Sequence, residues 1–417
     1  MIPFLCPSPP GLDSLRNEFA EIQNSGIFTN NGPLNARFET ALQDSMFGDG
    51  GACVTTCNAT IALILAIRAV VDRADAARKG RKPRGKRFAL MPSFTFAAAA
   101  LAAEWAGLEP LFCDVDPDDW FASEMAEEEA IRRYGDRIAV IVPYATFGES
   151  LDLARYEALS ERTGIPVVVD AAASLGSLDA SGHQFGSFSA IPVVFSMHAT
   201  KTFATGEGGV IHSADRDLCQ TLRTMSNFGF GAPRSATMPG LNAKLTEVGA
   251  ALALKRLEGF ETIVRSRQLL ALRYRFALPE LEFQRCSGIR VAHQFMPVLL
   301  PRAAVGRRDQ IREELQSRGV GAASYFSPHV AEQPHFRRSR LKPDLPVTQS
   351  LSDRILSLPL WDGMSEATVD TVCAALKSVL APVLVPANAM RAVPIDLLPA
   401  VGVAQGENLR PGVRLAS

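Results

Sequence analysis

An α/β fold, with a mostly parallel, doubly wound sheet followed by a smaller C-terminal α+β domain, is predicted by three observations. Short apolar runs alternate with stretches of helical period over the first two thirds of the chain. One of these runs, Ile165-Pro-Val-Val-Val-Asp170, reads as a buried parallel strand that ends in a carboxylate and passes into small residues. Another delivers Lys201 into a hydroxyl- and glycine-rich turn, Phe195-Ser-Met-His-Ala-Thr-Lys201-Thr-Phe-Ala-Thr-Gly-Glu-Gly-Gly209.

In chain order, helical period over 12–23 and 34–46 precedes a first strand at Ala52-Cys-Val-Thr. Further strands are expected at Phe88-Ala-Leu-Met, Pro110-Leu-Phe-Cys, Ile138-Ala-Val-Ile-Val, Val167-Val-Val, Val193-Val-Phe and Gly209-Val-Ile. The predicted large domain covers 1–264. The small one covers 265–383, with a strand in Gln294-Phe-Met-Pro-Val-Leu-Leu and helices over 305–318 and 365–380. The tail, 384–417, carries no chemical motif, and no internal repeat is found.

Composition narrows the class. At 417 residues and 47% hydrophobic the chain can bury two packed domains. A formal charge of −1 argues against broad attraction to nucleic acid or anionic membrane and leaves anion recognition to a local site. Seven dispersed cysteines fit reduced thiols in the cytoplasm, and neither they nor the six histidines have metal-ligand spacing. The first residues lack the basic and apolar regions of a signal peptide, and no apolar run reaches the roughly 20 residues of a membrane span. A dehydrogenase reading fails because Gly229-Phe-Gly231-Ala-Pro-Arg234 lacks the third glycine and the preceding strand, and no phosphate-binding Walker loop is present. Seven cations in Arg78–Arg87 suit a solvated loop or a grip on a nucleotide diphosphate or RNA.

Three segments carry chemistry. A lysine in such a turn suits Schiff-base formation, because an amine attacks carbonyls only when its charge is suppressed; a surface lysine is the plain alternative. Asp170 at a strand's carboxyl end lies where α/β sheets bind ligands, and would either face a pyridine nitrogen or cap a following helix. Small and hydroxyl residues in Val54-Thr-Thr-Cys-Asn58-Ala59-Thr60 open an apolar helix, which suits an anion site, although a plain cap by Asn58 accounts for them as well.

With these residues in place, the chain resembles the DegT/DnrJ/EryC1/StrS sugar aminotransferases, fold-type I (aspartate aminotransferase-like) enzymes that use pyridoxal 5′-phosphate (PLP). The resemblance runs from about Pro3 to about Leu380. It is carried in order by Phe28-Thr-Asn-Asn-Gly-Pro33, Asn58-Ala-Thr60, Pro92-Ser-Phe-Thr-Phe96, Phe112-Cys-Asp-Val-Asp-Pro117, Asp170-Ala-Ala, Ser196-Met-His-Ala-Thr-Lys201, Glu207-Gly-Gly209, Asn227-Phe-Gly229, Gly240-Leu-Asn242 and Leu356-Ser-Leu-Pro-Leu360.

It implies that Lys201 attaches the cofactor and shuttles the proton, that Asp170 holds the ring nitrogen, and that Phe96 stacks on the ring. Phe96 could otherwise be core. The Ala59 backbone and the hydroxyls of Thr60 and Ser196 match the family's phosphate cup. Asn242 matches a residue that reaches a neighbour's cofactor in a homodimer, a task Lys244 could also serve. Thr29, Tyr325 and His329 fall at substrate loops, where a histidine after proline could also be simply solvated. Ala173 departs from the amide or imidazole that many members place there. Related sugar dehydratases carry histidine at the position of Lys201.

The implied reaction is amino transfer from glutamate or glutamine to a nucleotide-linked ketosugar, most closely a 4-keto-6-deoxy sugar. A 3-ketosugar or keto-inositol acceptor, a sugar dehydration and a noncatalytic PLP-binding protein are the alternatives.

Overall fold

Two helices, α1 (Arg16–Ser25) and α2 (Pro33–Leu42), lead into the first strand, β1 (Ala52–Thr56), in a computed structural model that describes residues 1–77, 87–338, 341 and 344–384. The turn between these helices is written in Asn30-Asn-Gly-Pro33. Both asparagines take the left-handed region (φ 68° and 57°), which their short polar side chains tolerate, and Pro33 opens α2, where a missing N–H costs nothing.

Next come α3 (Ala59–Ala77), β2 (Phe88–Pro92), α4 (Ala97–Trp105), β3 (Glu109–Cys113), α5 (Glu124–Tyr134), β4 (Ile138–Ile141), α6 (Leu153–Thr163), β5 (Val169–Asp170), β6 (Val193–Ser196), β7 (Gly209–Ser213) and α7 (Arg216–Ser226). Strands pair in the orders β3-β2-β4 and β5-β6-β7-β1. Parallel bridges Ile141–Val167 and Tyr144–Asp170 join the two sets. Every pairing is parallel except those of β7, which runs antiparallel to β6 and β1. The near-continuous apolar character of these strands follows from burial on both faces: β2, β4 and β6 are buried throughout.

A short hairpin, β8 (Phe230–Gly231) and β9 (Ser235–Ala236), precedes α8 (Glu247–Leu257) and α9 (Phe260–Ala277). Phe260 and Val264 pack in the core of the large sheet, whereas Leu270, Ala271 and Tyr274 pack in a second core, so α9 belongs to both. That second core is built on the antiparallel pair β10 (Met296–Leu299) and β11 (Ile355–Leu358) with α10 (Arg308–Ser317) and α12 (Glu366–Leu384); α11 (Pro346–Arg354) leads into β11. At the changeover, buried Arg267 pairs with Asp362 at 2.6 Å and donates to the carbonyls of His293 and Gln294, both at 3.0 Å.

The expected strands and helices all form. The hairpin, β11 and α11 are additional, being too short or too polar to show a period. Of the basic run, 78–86 lies outside the described residues, and Arg87 pairs with Asp75 at 2.7 Å. The tail from 385 also lies outside them. Among the described residues no helix is long and apolar enough to cross a membrane, and no group of His, Cys, Asp and Glu could hold a metal.

Candidate active site

Strand ends assemble the site. At the end of β5, Asp170 is 2% exposed, and its Oδ1 accepts the Ala172 N–H at 3.1 Å. No helix follows it, so the carboxylate caps none. Burial raises this carboxyl to about 6, against the pull of the Ala172 N–H and of Lys201. Buried Tyr144, paired with Asp170 across the sheet, has its phenol pushed up by burial and then by that carboxylate.

Lys201 follows β6 in a tight turn. Its residue surface is part-exposed, but its amine is deeply enclosed and donates to Gln294 Oε1 at 3.0 Å. Burial lowers the amine to about 8, with Asp170 pulling it back up. It is therefore no solvated surface lysine. Around it, Gln294 Nε2 donates to Thr200 Oγ1 at 3.3 Å, and His198 Nδ1 lies 2.9 Å from the same oxygen.

Three strands meet the start of α3, an arrangement that suits an anion. Sheet register places Ser196 opposite Gly209, and Gly209 opposite Thr56. A Cβ on Gly209 would lie 2.8 Å from the Ala59 nitrogen and 2.7 Å from the Asn58 carbonyl carbon, so only glycine lets β7 approach the helix start this closely. Asn58 Oδ1 accepts the Ile61 N–H at 2.9 Å and so caps the helix. The cap and the anion site coexist, because helix geometry leaves the N–H groups of Ala59 and Thr60 without carbonyl partners. Ser196 Oγ accepts the His198 N–H at 3.2 Å, which leaves its hydroxyl hydrogen available to donate.

Phe96 is 57% exposed just before α4, whereas Phe94 is fully buried against Trp120, Phe147 and Phe326. Phe96 is thus no core residue. An exposed aromatic ring, a buried carboxylate, an enclosed amine and a helix-start cup together suit a planar cationic pyridine bearing an aldehyde and a phosphate. The donor set fits PLP.

The remaining expected residues have these surroundings. Thr29 is part-buried in the turn before α2. Tyr325 stacks on Phe295 with centroids 5.3 Å apart. His329 is buried, not solvated: Nδ1 lies 2.8 Å from Ser93 Oγ and Nε2 lies 3.2 Å from Gln349 Oε1, which ties the small domain to the loop that carries Phe96. Asn242 is exposed at the base of the hairpin and accepts from Lys244 Nζ at 2.6 Å; Lys244 also lies over the Phe228 ring at 4.5 Å. Ala173 is buried and offers no side-chain donor.

Sequence reasoning passed over Gln294 and Tyr144. Each sits in or beside an apolar run whose strand character masks its polar end.

Comparison with known proteins agrees with this geometry. The model of the DegT/DnrJ/EryC1/StrS aminotransferase family matches residues 13–377. A PLP-dependent aminotransferase candidate from Bacillus cereus is 37% identical with a TM-score of 0.82, covering 90% of this chain and 99% of that one. DesI, solved in the presence of its TDP-sugar product, is 30% identical with a TM-score of 0.79, covering 91% and 93%. The dTDP-4-amino-4,6-dideoxy-D-glucose transaminase of Escherichia coli is 26% identical, covering 88% of this chain and 96% of its own. The chain belongs to the DegT/DnrJ/EryC1/StrS family of PLP-dependent aminotransferases.

Proposed function

We propose that this enzyme moves the amino group of glutamate or glutamine onto the ketone of a nucleotide-diphosphate sugar, a 4-keto-6-deoxy sugar above all, in amino-sugar biosynthesis in the cytoplasm. The observation that carries the reading is the enclosed Lys201 amine, lowered to about 8 beside the buried Asp170 carboxylate. Kinship with a dTDP-sugar transaminase and with DesI favours the acceptor class.

Bound PLP supplies the electron sink that makes a carbon next to nitrogen acidic. An ionised Asp170 keeps the ring nitrogen protonated. Lys201, released by an incoming amine, would be the base that moves a proton from the donor carbon to the cofactor in the first half and from the cofactor to the acceptor carbon in the second, a task suited to an amine that burial lowers to about 8. Ala59, Thr60 and Ser196 hold the phosphate, and Phe96 covers one ring face against water. Thr29 and Tyr325 meet the sugar, while His329 acts on the site through Ser93.

The working form is a homodimer in which Asn242 completes a second copy's cup. The part-exposed apolar side chains of Ile27, Phe28, Phe228, Leu241 and Val248 support such a surface.

The test is an absorption spectrum of the reconstituted protein before and after L-glutamate, for wild type and Lys201→Ala, followed by incubation with nucleotide-linked ketosugars. A visible band that glutamate bleaches in wild type alone, and a product carrying amine in place of the ketone, are expected. Deoxygenated product without amination would overturn the reaction.

A further inference from the structure

We infer that Gln294 is a positioning residue for Lys201: its amide, set by Thr200 and His198, holds the free lysine amine at one place in the site. The inference rests on the reading of Lys201 as the residue that attaches the cofactor and carries the proton.

The geometry constrains the amide at both ends. The Thr200 N–H donates to His198 Nδ1 at 3.3 Å, so that nitrogen is an acceptor and the ring proton sits on Nε2, which points toward Glu207 Oε1 at 3.7 Å. An acceptor at Nδ1 draws the Thr200 hydroxyl hydrogen to itself across 2.9 Å. The Thr200 oxygen is then left to accept, and the group it accepts from is Gln294 Nε2 at 3.3 Å. With its NH2 end committed there, Gln294 must present its carbonyl oxygen to Lys201 Nζ, at 3.0 Å.

The backbone under Gln294 is equally fixed. Arg267 donates to the carbonyls of His293 and Gln294, and the Thr202 hydroxyl lies 3.1 Å from those of Ala292 and His293. The acceptor therefore stands still while the lysine alternates between attached and free. A buried amine without an acceptor would lose its charged form and wander among rotamers. Gln294 gives it a single resting place with no added charge, so the amine keeps a neutral fraction for its next attack.

The test reads the lysine directly and does not depend on turnover. Trace acetylation of the cofactor-free protein across pH, with Lys201 located by mass spectrometry, gives the midpoint of its amine. Gln294→Met keeps length and apolar packing but removes the acceptor, so the midpoint should fall by about one pH unit; Gln294→Glu should raise it by about one unit or more. His198→Ala frees the Thr200 hydroxyl and lets the amide turn its NH2 toward the lysine, so it should shift the midpoint the same way as Gln294→Met.

All three variants titrating like wild type, with circular dichroism unchanged, would overturn the inference and leave Gln294 a packing residue. Failure of the wild type to take up PLP would instead overturn the reaction assigned to Lys201, while the acetylation midpoints still reported on the contact with Gln294.

Discussion

Asp170 and Lys201 are both buried, and each favours the other's charged form against the pull of burial. Burial raises the carboxyl from 3.8 to about 6 and lowers the amine from 10.5 to about 8, and each group partly reverses the other's shift. Between these values both are ionised, and it is there that their desolvation costs the fold most.

The sign of the pH dependence follows from the protons bound. Below its unfolded value Asp170 costs nothing extra; its share of stability is lost as pH rises through about 6. Lys201 destabilises below about 8, and that loss is recovered as pH rises toward its unfolded value. Asp170→Asn keeps the contact to the Ala172 N–H and removes a buried charge whose net cost, with the attraction of Lys201 already counted, is roughly 3 kcal/mol. In urea unfolding of cofactor-free protein near neutral pH the variant should be more stable than wild type, the gap closing in acid, yet it should no longer retain PLP. A variant less stable at neutral pH would mean that the pair stabilises the fold outright.

Gly32 and Glu247 form the second testable relationship. Glu247 accepts the N–H groups of Leu34 at 2.8 Å and Asn35 at 3.1 Å, capping α2 from a distant part of the chain. A Cβ on Gly32 would lie 2.7 Å from its carboxyl carbon and 2.7 Å from an Ile27 methyl. Gly32→Ala should cost about 2 kcal/mol by displacing them, and Glu247→Ala about 1–2 kcal/mol by uncapping α2. Because both act on one contact, the double variant should cost less than the sum. Additive losses in denaturant midpoints would show that the two residues do not act through each other.

The strands and their order of function were legible because each pairs an apolar run with a distinct end. Val167-Val-Val running into Asp170, and Val193-Val-Phe running into Ser196, declare both a buried sheet and a polar rim. What stayed hidden depends on contacts between distant segments. Gln294 lies 93 residues from the lysine it touches, and its neighbours read only as a strand. His329 is placed at a substrate loop by resemblance, yet its own segment reads equally as solvated, because nothing nearby shows that Ser93 and Gln349 will enclose it. The antiparallel course of β7 is likewise invisible to a period that is the same in either direction.

The anion cup separates binding from folding. If Thr60 and Ser196 hold the phosphate as proposed, Thr60→Ala and Ser196→Ala each remove one hydroxyl donor to a dianion, worth about 1.5–3 kcal/mol, so each should weaken PLP retention by roughly 10- to 100-fold while leaving the unfolding midpoint close to wild type. Asn58→Ala should behave in the opposite sense. It removes the cap on the Ile61 N–H, costs about 1 kcal/mol of stability, and leaves the free N–H groups of Ala59 and Thr60 in place. Dialysis against cofactor-free buffer followed by absorbance, with thermal melts in parallel, tests the contrast. Equal loss of cofactor in all three variants would mean the cup is held by the helix start alone.

Whether a second copy completes the site can be decided with two crippled chains. Asn242 is exposed and held by Lys244, and Phe228 and Leu241 beside it are 42% and 38% exposed. If Asn242 serves the neighbour's cofactor, a mixed dimer of Lys201→Ala and Asn242→Ala chains pairs an intact lysine from one copy with an intact asparagine from the other. Random mixing makes half the dimers mixed, each with one complete site, so about a quarter of all sites should recover. If Asn242 serves its own chain, every site lacks one of the two residues and mixing restores nothing. The same experiment with Lys244→Ala in place of Asn242→Ala then tells which of the two reaches across, because only the residue that crosses the interface can be supplied by a partner.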